Sequence, residues 1–150
     1  MTVASKDYPQ PDRDADNQPL LDGWRQGQLM LQRCADCGRD FFYPRPICPN
    51  CWSAAVRWHG ATGKGTIVSF SLVHRPNHRA FFDETPIVLA EVLLEEDVAL
   101  LARVVNVEPA EVRIGMTVAL LSAVEAAPYP LPTFEPSRGQ SPPANIEERG

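Results

Sequence analysis

Apolar residues follow two regimes along this chain. In LLDGWRQGQLMLQRC they fall at Leu20, Leu21, Trp24, Leu29 and Leu31. That spacing predicts a short helix opening into a strand, weakened by Gly23 and Gly27, which are poor helix formers. From residue 66 the period becomes two. TIVSFSLVHR (66–75) sets Ile67, Ser69, Ser71 and Val73 on one face and Val68, Phe70 and Leu72 on the other, the alternation of a strand. PIVLAEVLL (86–94) and VALLARVVNV (98–107) read as two more, joined by the hairpin-length turn Glu95-Glu96-Asp97. Residues 108–111 form a turn or one helical turn, and TVALLSAVE (117–125) is a further strand. Counting VRWHG (56–60) as a bridge from the preceding segment gives about five strands. A short-linked set of that size closes most naturally into a small barrel of the OB type, although the pattern also fits a sandwich.

Between the two regimes lie all four cysteines, as Cys34-Ala-Asp-Cys37 and Cys48-Pro-Asn-Cys51. Two residues between cysteines let both sulfurs point to one side of a tight turn. Two facing turns supply a closed tetrahedral set for a soft divalent ion. Gly38 follows the first pair, where a positive φ can aim amide N–H groups at the sulfurs. The spacing therefore predicts a zinc ribbon with Cys34, Cys37, Cys48 and Cys51 as ligands. Such a closed shell folds the chain and leaves no open position for catalysis. With four thiolates and Zn²⁺ the site carries −2, which the flanking arginines offset. Two alternatives share the pattern: a rubredoxin-like iron site for electron transfer, and two disulfides in a secreted chain.

Composition adds the boundaries. Of 15 prolines, three precede residue 20 and six lie between Pro128 and Pro143. Residues 1–19 are thus expected as a disordered N-terminal tail, 20–60 as the short helix plus ribbon, and 61–127 as the barrel. Residues 128–150 are expected as a Pro-rich extended or disordered tail, with Tyr129, Leu131 and Phe134 as anchors across the barrel or a partner. No apolar run approaches the ~20 residues needed to span a bilayer. The first residues lack the hydrophobic segment of a secretory signal, so a cytoplasmic location is expected.

Fourteen basic and 19 acidic residues give a net charge of −5. That is the wrong sign for holding nucleic acid through phosphates. The balance is uneven: six basic residues and two acids between 24 and 64, against nine acids between 83 and 125. A nucleic-acid-binding module remains the competing reading, since OB-folds and zinc ribbons often serve that role. Against it, residues 86–125 contain no aromatic on which a base could stack. His74 and His78 are four apart, but Pro76 breaks the helix that a metal pair would need. Gly60-Ala-Thr-Gly63-Lys64-Gly65 precedes a strand, whereas a phosphate loop precedes a helix. No nucleophile or paired-carboxylate motif is present, which argues against a stand-alone enzyme.

Four runs in order, LMLQRCADCGRDFFYPRPICPNCW, ATGKGTIVSFSLVHR, TPIVLAEVLLEEDVALLARV and IGMTVAL, resemble the acyl-CoA-associated zinc-ribbon/OB-fold family, also called domain of unknown function thirty-five. The likeness covers about residues 20–135. One departure is Asp97, where the family commonly has glycine; Asp tolerates a left-handed turn better than most residues. The resemblance implies a mainly β chain, with a short N-terminal helix and a rubredoxin-like zinc ribbon followed by a five-stranded OB-fold barrel. It also implies a non-catalytic accessory subunit that binds a thiolase-like or hot-dog hydratase enzyme in acyl-CoA metabolism, of steroids, lipids or polyketides. Its zinc ligands carry over to Cys34, Cys37, Cys48 and Cys51. The loop Phe41-Phe42-Tyr43-Pro44-Arg45 packs three aromatics and an arginine into a ribbon too small to bury them all. It is expected either to contact the partner or to cover the seam with the barrel. Arg75, Arg79 and Phe81 form an arginine–aromatic loop suited to the adenine and phosphates of CoA.

Overall fold

The computed structural model describes residues 7–138. Helix α1 (Gln18–Arg25) leads into β1 (Met30–Cys34), β2 (Asp40–Phe41) and β3 (Val56–Gly60), which form a three-stranded antiparallel ribbon in the order β2-β1-β3. β4 (Lys64–Val73), β5 (Ile87–Leu94), β6 (Ala99–Val104), β7 (Thr117–Leu120) and β8 (Thr133–Pro136) close a barrel in the order β4-β5-β6-β8-β7. The chain is thus mainly β, with a short N-terminal helix, a ribbon and a five-stranded OB-type barrel, as the pattern predicted. Among the described residues no helix is long and apolar enough to cross a membrane.

Period-two sequence becomes a closed core most directly in β5 and β6. Val88, Ala90, Val92 and Leu94 point inward, as do Leu100, Ala102 and Val104, while the residues between them face outward or lie part-covered. Each fully buried Val or Leu contributes about 1.5–3 kcal/mol. In β4 the simple alternation fails. Its register against β5 shifts between Ile67 and Ser69, a bulge that adds one residue and swaps faces. Ile67 and Leu72, of opposite parity, therefore both pack on the core. Gly65 is fixed by close approach, because a β-carbon there would lie 2.6 Å from Val92 Cγ1 and 2.8 Å from the Leu93 carbonyl oxygen.

The structure departs from the sequence reading at four places. VRWHG is β3 and pairs along the whole of β1, so it belongs to the ribbon and does not count among the barrel's strands. The fifth barrel strand is instead β8, from the segment expected as an extended or disordered tail. It is parallel to β6 and antiparallel to β7. Phe134 is fully buried, and the Thr133 and Phe134 carbonyls accept from Leu121 and Val105. Those bonds need no donor from Pro132 or Pro136, so the prolines are tolerated. Third, TVALLSAVE stops being a strand at Leu120. Ser122 and Glu125 form a capping box that starts α2 (Ala123–Ala126), a local signal visible as Ser-x-x-Glu.

The N-terminal segment is also ordered from Asp7 onward: Tyr8 is buried, and α1 begins at Gln18, two residues before the expected boundary. Residues 1–6 and 139–150 of the two expected tails lie outside the described residues. Trp24 of α1 packs on Leu121 and Ala126 and donates from its indole to the Tyr129 carbonyl at 2.9 Å, tying the ribbon's leading helix to the segment between β7 and β8.

Candidate functional site

The four cysteine sulfurs converge at one end of the ribbon. They lie within 4.8 Å of one another, with Cys34 and Cys51 3.5 Å apart and Cys37 and Cys48 3.6 Å apart. Around a zinc ion with Zn–S near 2.3 Å, tetrahedral sulfurs are separated by roughly 3.8 Å, so the set fits. The sequence folds this way because each Cys-x-x-Cys turn doubles back on itself. Gly38 donates to the Cys34 carbonyl at 2.8 Å and Trp52 to the Cys48 carbonyl at 3.0 Å. Amides also reach the sulfurs, Cys37 to Cys34 at 3.5 Å and Asn50 to Cys48 at 3.4 Å. Such contacts stabilise thiolate charge.

Metal-free, Cys37 and Cys51 differ in how readily they hold charge. The Arg39 backbone N–H, outweighing burial and helped by Asn50, Cys48 and Cys34, pulls Cys37 down to about 6. At Cys51 the Ser53 N–H acts to lower the pKa, but Cys34, burial, Cys37 and Cys48 together push it up to about 12. The arrangement favours the thiolate at Cys37 and the thiol at Cys51. A divalent cation removes that asymmetry and releases protons as it binds. All four ligand positions are sulfur, which leaves nothing open for a substrate.

Around the metal end, β1 and β2 are stitched by a buried carboxylate. Asp40, with its side chain only 7% exposed, accepts two bonds from Arg33 at 2.7 and 3.0 Å and lies 3.0 Å from His59 Nε2. Burial alone would raise its pKa, yet Arg33 and His59 together hold it below the usual carboxylate range. Gln32, also buried, exchanges two hydrogen bonds with the backbone of Arg45, donating to its carbonyl at 3.1 Å and accepting from its N–H at 2.9 Å. An amide side chain here replaces a strand partner and fixes the aromatic loop.

That loop divides its aromatics. Phe42 is buried in the barrel core cluster, so it covers the seam. Tyr43 is half-exposed, stacks edge-on against Phe42 and accepts from the Leu101 N–H of β6 at 3.2 Å. Phe41 is half-buried, and Arg45 is exposed.

A second feature is a cavity of about 490 Å³ beside β6, roofed by the loop after β4 and the segment before β8. Val73, Ile87, Leu89, Leu101 and Leu131 make it predominantly apolar. Its one strong cation is Arg103, which donates from Nη2 to Glu84 at 2.9 Å. The buried Nη1 of Arg103 has no hydrogen-bond partner among the described residues. Aromatic rings surround that guanidinium instead, with Tyr129 and Phe81 centroids 5.6 and 6.0 Å from Cζ. Ring faces partly compensate a cation. Tyr8 stacks on Phe81 at 5.0 Å and donates its hydroxyl to Glu84 at 2.6 Å. Burial first, and then the Glu84 carboxylate, raise its pKa.

Of the three residues expected near CoA, Phe81 lines this cavity, whereas Arg75 and Arg79 do not. Both arginines are exposed, and Arg79 lies 3.9 Å from Asp7. Sequence reasoning missed Arg103, Tyr8, Glu84 and Gln32. Arg103 was legible only as a lone charge inside an apolar strand, and Tyr8 sat in a segment read as a tail.

Comparison with known proteins accounts for both halves. Residues 21–57 match the ChsH2 rubredoxin-like zinc ribbon domain, and residues 58–122 match the ChsH2 C-terminal OB-fold domain. A probable enoyl-CoA hydratase alpha subunit from Thermomonospora curvata is 37% identical over 130 residues, which are 86% of this chain but 40% of that protein. The chain therefore spans about two fifths of that relative's length. A DUF35 domain-containing scaffold protein from Pyrococcus furiosus is 36% identical over 95 residues, 63% of this chain and 68% of that protein. Among solved structures, a chain of the Ltp2-ChsH2(DUF35) aldolase superposes with a TM-score of 0.70 at 35% identity, covering 85% of this chain and 98% of that one. A DUF35-family protein of unknown function from Sulfolobus solfataricus, 16% identical with a TM-score of 0.59, shares the fold. Four facing sulfurs on a ribbon, fused to a five-stranded barrel and matched over both parts, place this chain in the DUF35 zinc-ribbon/OB-fold family.

Proposed function

We propose that this chain is a non-catalytic zinc-binding subunit that assembles with an acyl-CoA enzyme, a hydratase or a thiolase-like aldolase, and supports its activity. The observation that carries this reading is the near-complete correspondence with the DUF35 chain of the Ltp2-ChsH2(DUF35) aldolase. The hydratase alpha subunits among its relatives, including one from Mycobacterium tuberculosis named for a 3-oxo-4,17-pregnadiene-20-carboxyl-CoA hydratase, support the same substrate class. The closed four-sulfur shell favours structural zinc over a reacting metal. Zinc holds Cys34, Cys37, Cys48 and Cys51 together and performs no chemistry on the substrate.

The cavity beside β6 supports the acyl-CoA part of the reading. Its apolar lining suits the hydrocarbon of an acyl thioester. Phe81 stands on its wall, and Arg75 and Arg79 lie exposed on the same loop, where CoA phosphates would meet them. The test is co-expression with hydratase and thiolase-like subunits from the same source, followed by size-exclusion chromatography and turnover measured with and without this chain. A stoichiometric complex whose turnover depends on this chain is expected; full turnover of the partner alone overturns the proposal. Within such a complex, Arg75→Ala with Arg79→Ala should raise the acyl-CoA KM several-fold and leave kcat unchanged. An unchanged KM removes the two arginines from the site.

A further inference from the structure

The two metal-binding turns are built alike and finished differently. In each, the residue after the second cysteine donates to the carbonyl of the first, and in each it is left-handed, with φ 74° at Gly38 and 67° at Trp52. Glycine adopts that backbone freely, whereas a residue with a β-carbon is strained there, and a bulky one is a genuine outlier. The first turn uses glycine and leaves the space beside it open. The second uses the largest side chain available. The fold gains little burial in exchange, because Trp52 is 81% exposed, and its indole has no hydrogen bond or ring partner among the described residues.

β1 runs from Met30 opposite Gly60, beside the barrel, to Cys34 opposite Val56, at the metal. Phe42 and Tyr43 turn back to the barrel. The cysteine turns therefore form the far tip, and the metal makes that tip rigid. Ile47, exposed just before Cys48, lies on the same turn. A large aromatic held rigid at a strained position, with its apolar area open to water, has the features of an interface anchor.

Charge narrows the occupant. Asp36 accepts from Ser53, next to Trp52, and four thiolates with one divalent ion leave −2 at the tip. Of the flanking arginines expected to offset that charge, Arg39 lies on the same turn, whereas Arg33 is engaged by Asp40 and Arg57 sits opposite it in the strands, so the offset at the tip itself is partial. Such a tip repels phosphodiesters and anionic lipid and favours a protein surface with basic groups.

We propose that Trp52 anchors the metal end of the ribbon to the partner enzyme subunit, its indole filling an apolar socket rimmed by basic side chains. This rests on the assembly reading above and assigns its contact to one residue. The test uses the zinc-loaded full chain and the purified hydratase or thiolase-like subunit that forms the stoichiometric complex. Trp52→Gly should keep its metal and an equal or higher thermal midpoint, because glycine relieves the strained turn. Its association, measured by calorimetry, should weaken by about 100-fold. Trp52→Phe should recover part of that loss. In the wild type, indole emission should shift to the blue on complex formation, and added salt should weaken binding.

If Trp52→Gly binds as tightly as the wild type, the anchor is refuted while the assembly stands. If the wild type binds neither subunit, the assembly reading falls and the anchor with it. If the wild type instead pairs with itself through Trp52, the occupant is a second copy and the proposal is overturned.

Discussion

The ribbon and the barrel are held by different physics. The ribbon's strands are five, two and five residues long, and of their side chains only Leu31, Gln32 and Cys34 are buried. With so little apolar area it cannot offset its own ordering entropy, and a metal must do it. The barrel buries alternate residues along β5 and β6 and seals them with Ile67, Val118 and Phe134. Its order comes from the core. The two meet where Leu29, Leu31 and Phe42 enter the barrel cluster. The contrast teaches where each part is free to vary: the ribbon's tip can carry a strained, exposed tryptophan because its geometry is set by the two cysteine turns, which a bound metal would lock together. In the barrel the interior is committed to packing, and the cavity is confined to the edge beside β6.

Removing the metal is the hardest blow to this division. Structural zinc in comparable small sites is worth about 10–16 kcal/mol, so Cys48→Ser or strong chelation should abolish amide protection over residues 30–60. Protection in β5 and β6 should persist, weakened by the loss of Leu31 and Phe42. If the whole chain unfolds in one step, the two parts are not separable in this way. Next comes Phe134→Ala, which opens the barrel core at its closing strand. It should cost about 3–5 kcal/mol in urea titration and leave metal affinity unchanged; a loss of metal would show that barrel closure supports the ribbon.

Gln32→Ala leaves both backbone groups of Arg45 unpaired and should cost about 1–3 kcal/mol, seen as faster exchange in the aromatic loop alone. Asp40→Asn is the smallest change. Its carboxyl lies below the ordinary range in the fold, so its contribution is present above the unfolded pKa near 4 and is lost as pH falls through the folded value. The variant should be less stable by about 1 kcal/mol at neutral pH, with Arg33 largely solvated, and the gap should close in acid. A gap that persists at low pH would assign the cost to packing.

How much of this was legible follows from how local each signal was. Cys-x-x-Cys spacing needs only the turn that contains it, and the four sulfurs meet as the spacing predicts. β5 and β6 are legible because two apolar runs of strand length flank the short turn at Asp97, which does take a left-handed φ of 62°. β4 is half-legible, since a bulge leaves no mark in composition. β8 was hidden by its prolines, whose missing donors matter only if the neighbouring strands need them, and they do not. The Arg103 cluster could not be read at all. It assembles Tyr8, Glu84, Arg103 and Tyr129 from four distant stretches, and no local rule ties a tyrosine near the start to an arginine ninety-five positions later.

β8 has a consequence for how the molecule can fail. It slots between β6 and β7 although it is made after both, so a shell lacking it presents two bare edges that face each other across an empty groove. Such edges accept any strand of suitable pattern. A chain whose last strand is pulled away becomes a receptor for the same strand of a neighbour, and concentration then decides whether it closes upon itself or is completed in exchange with another copy.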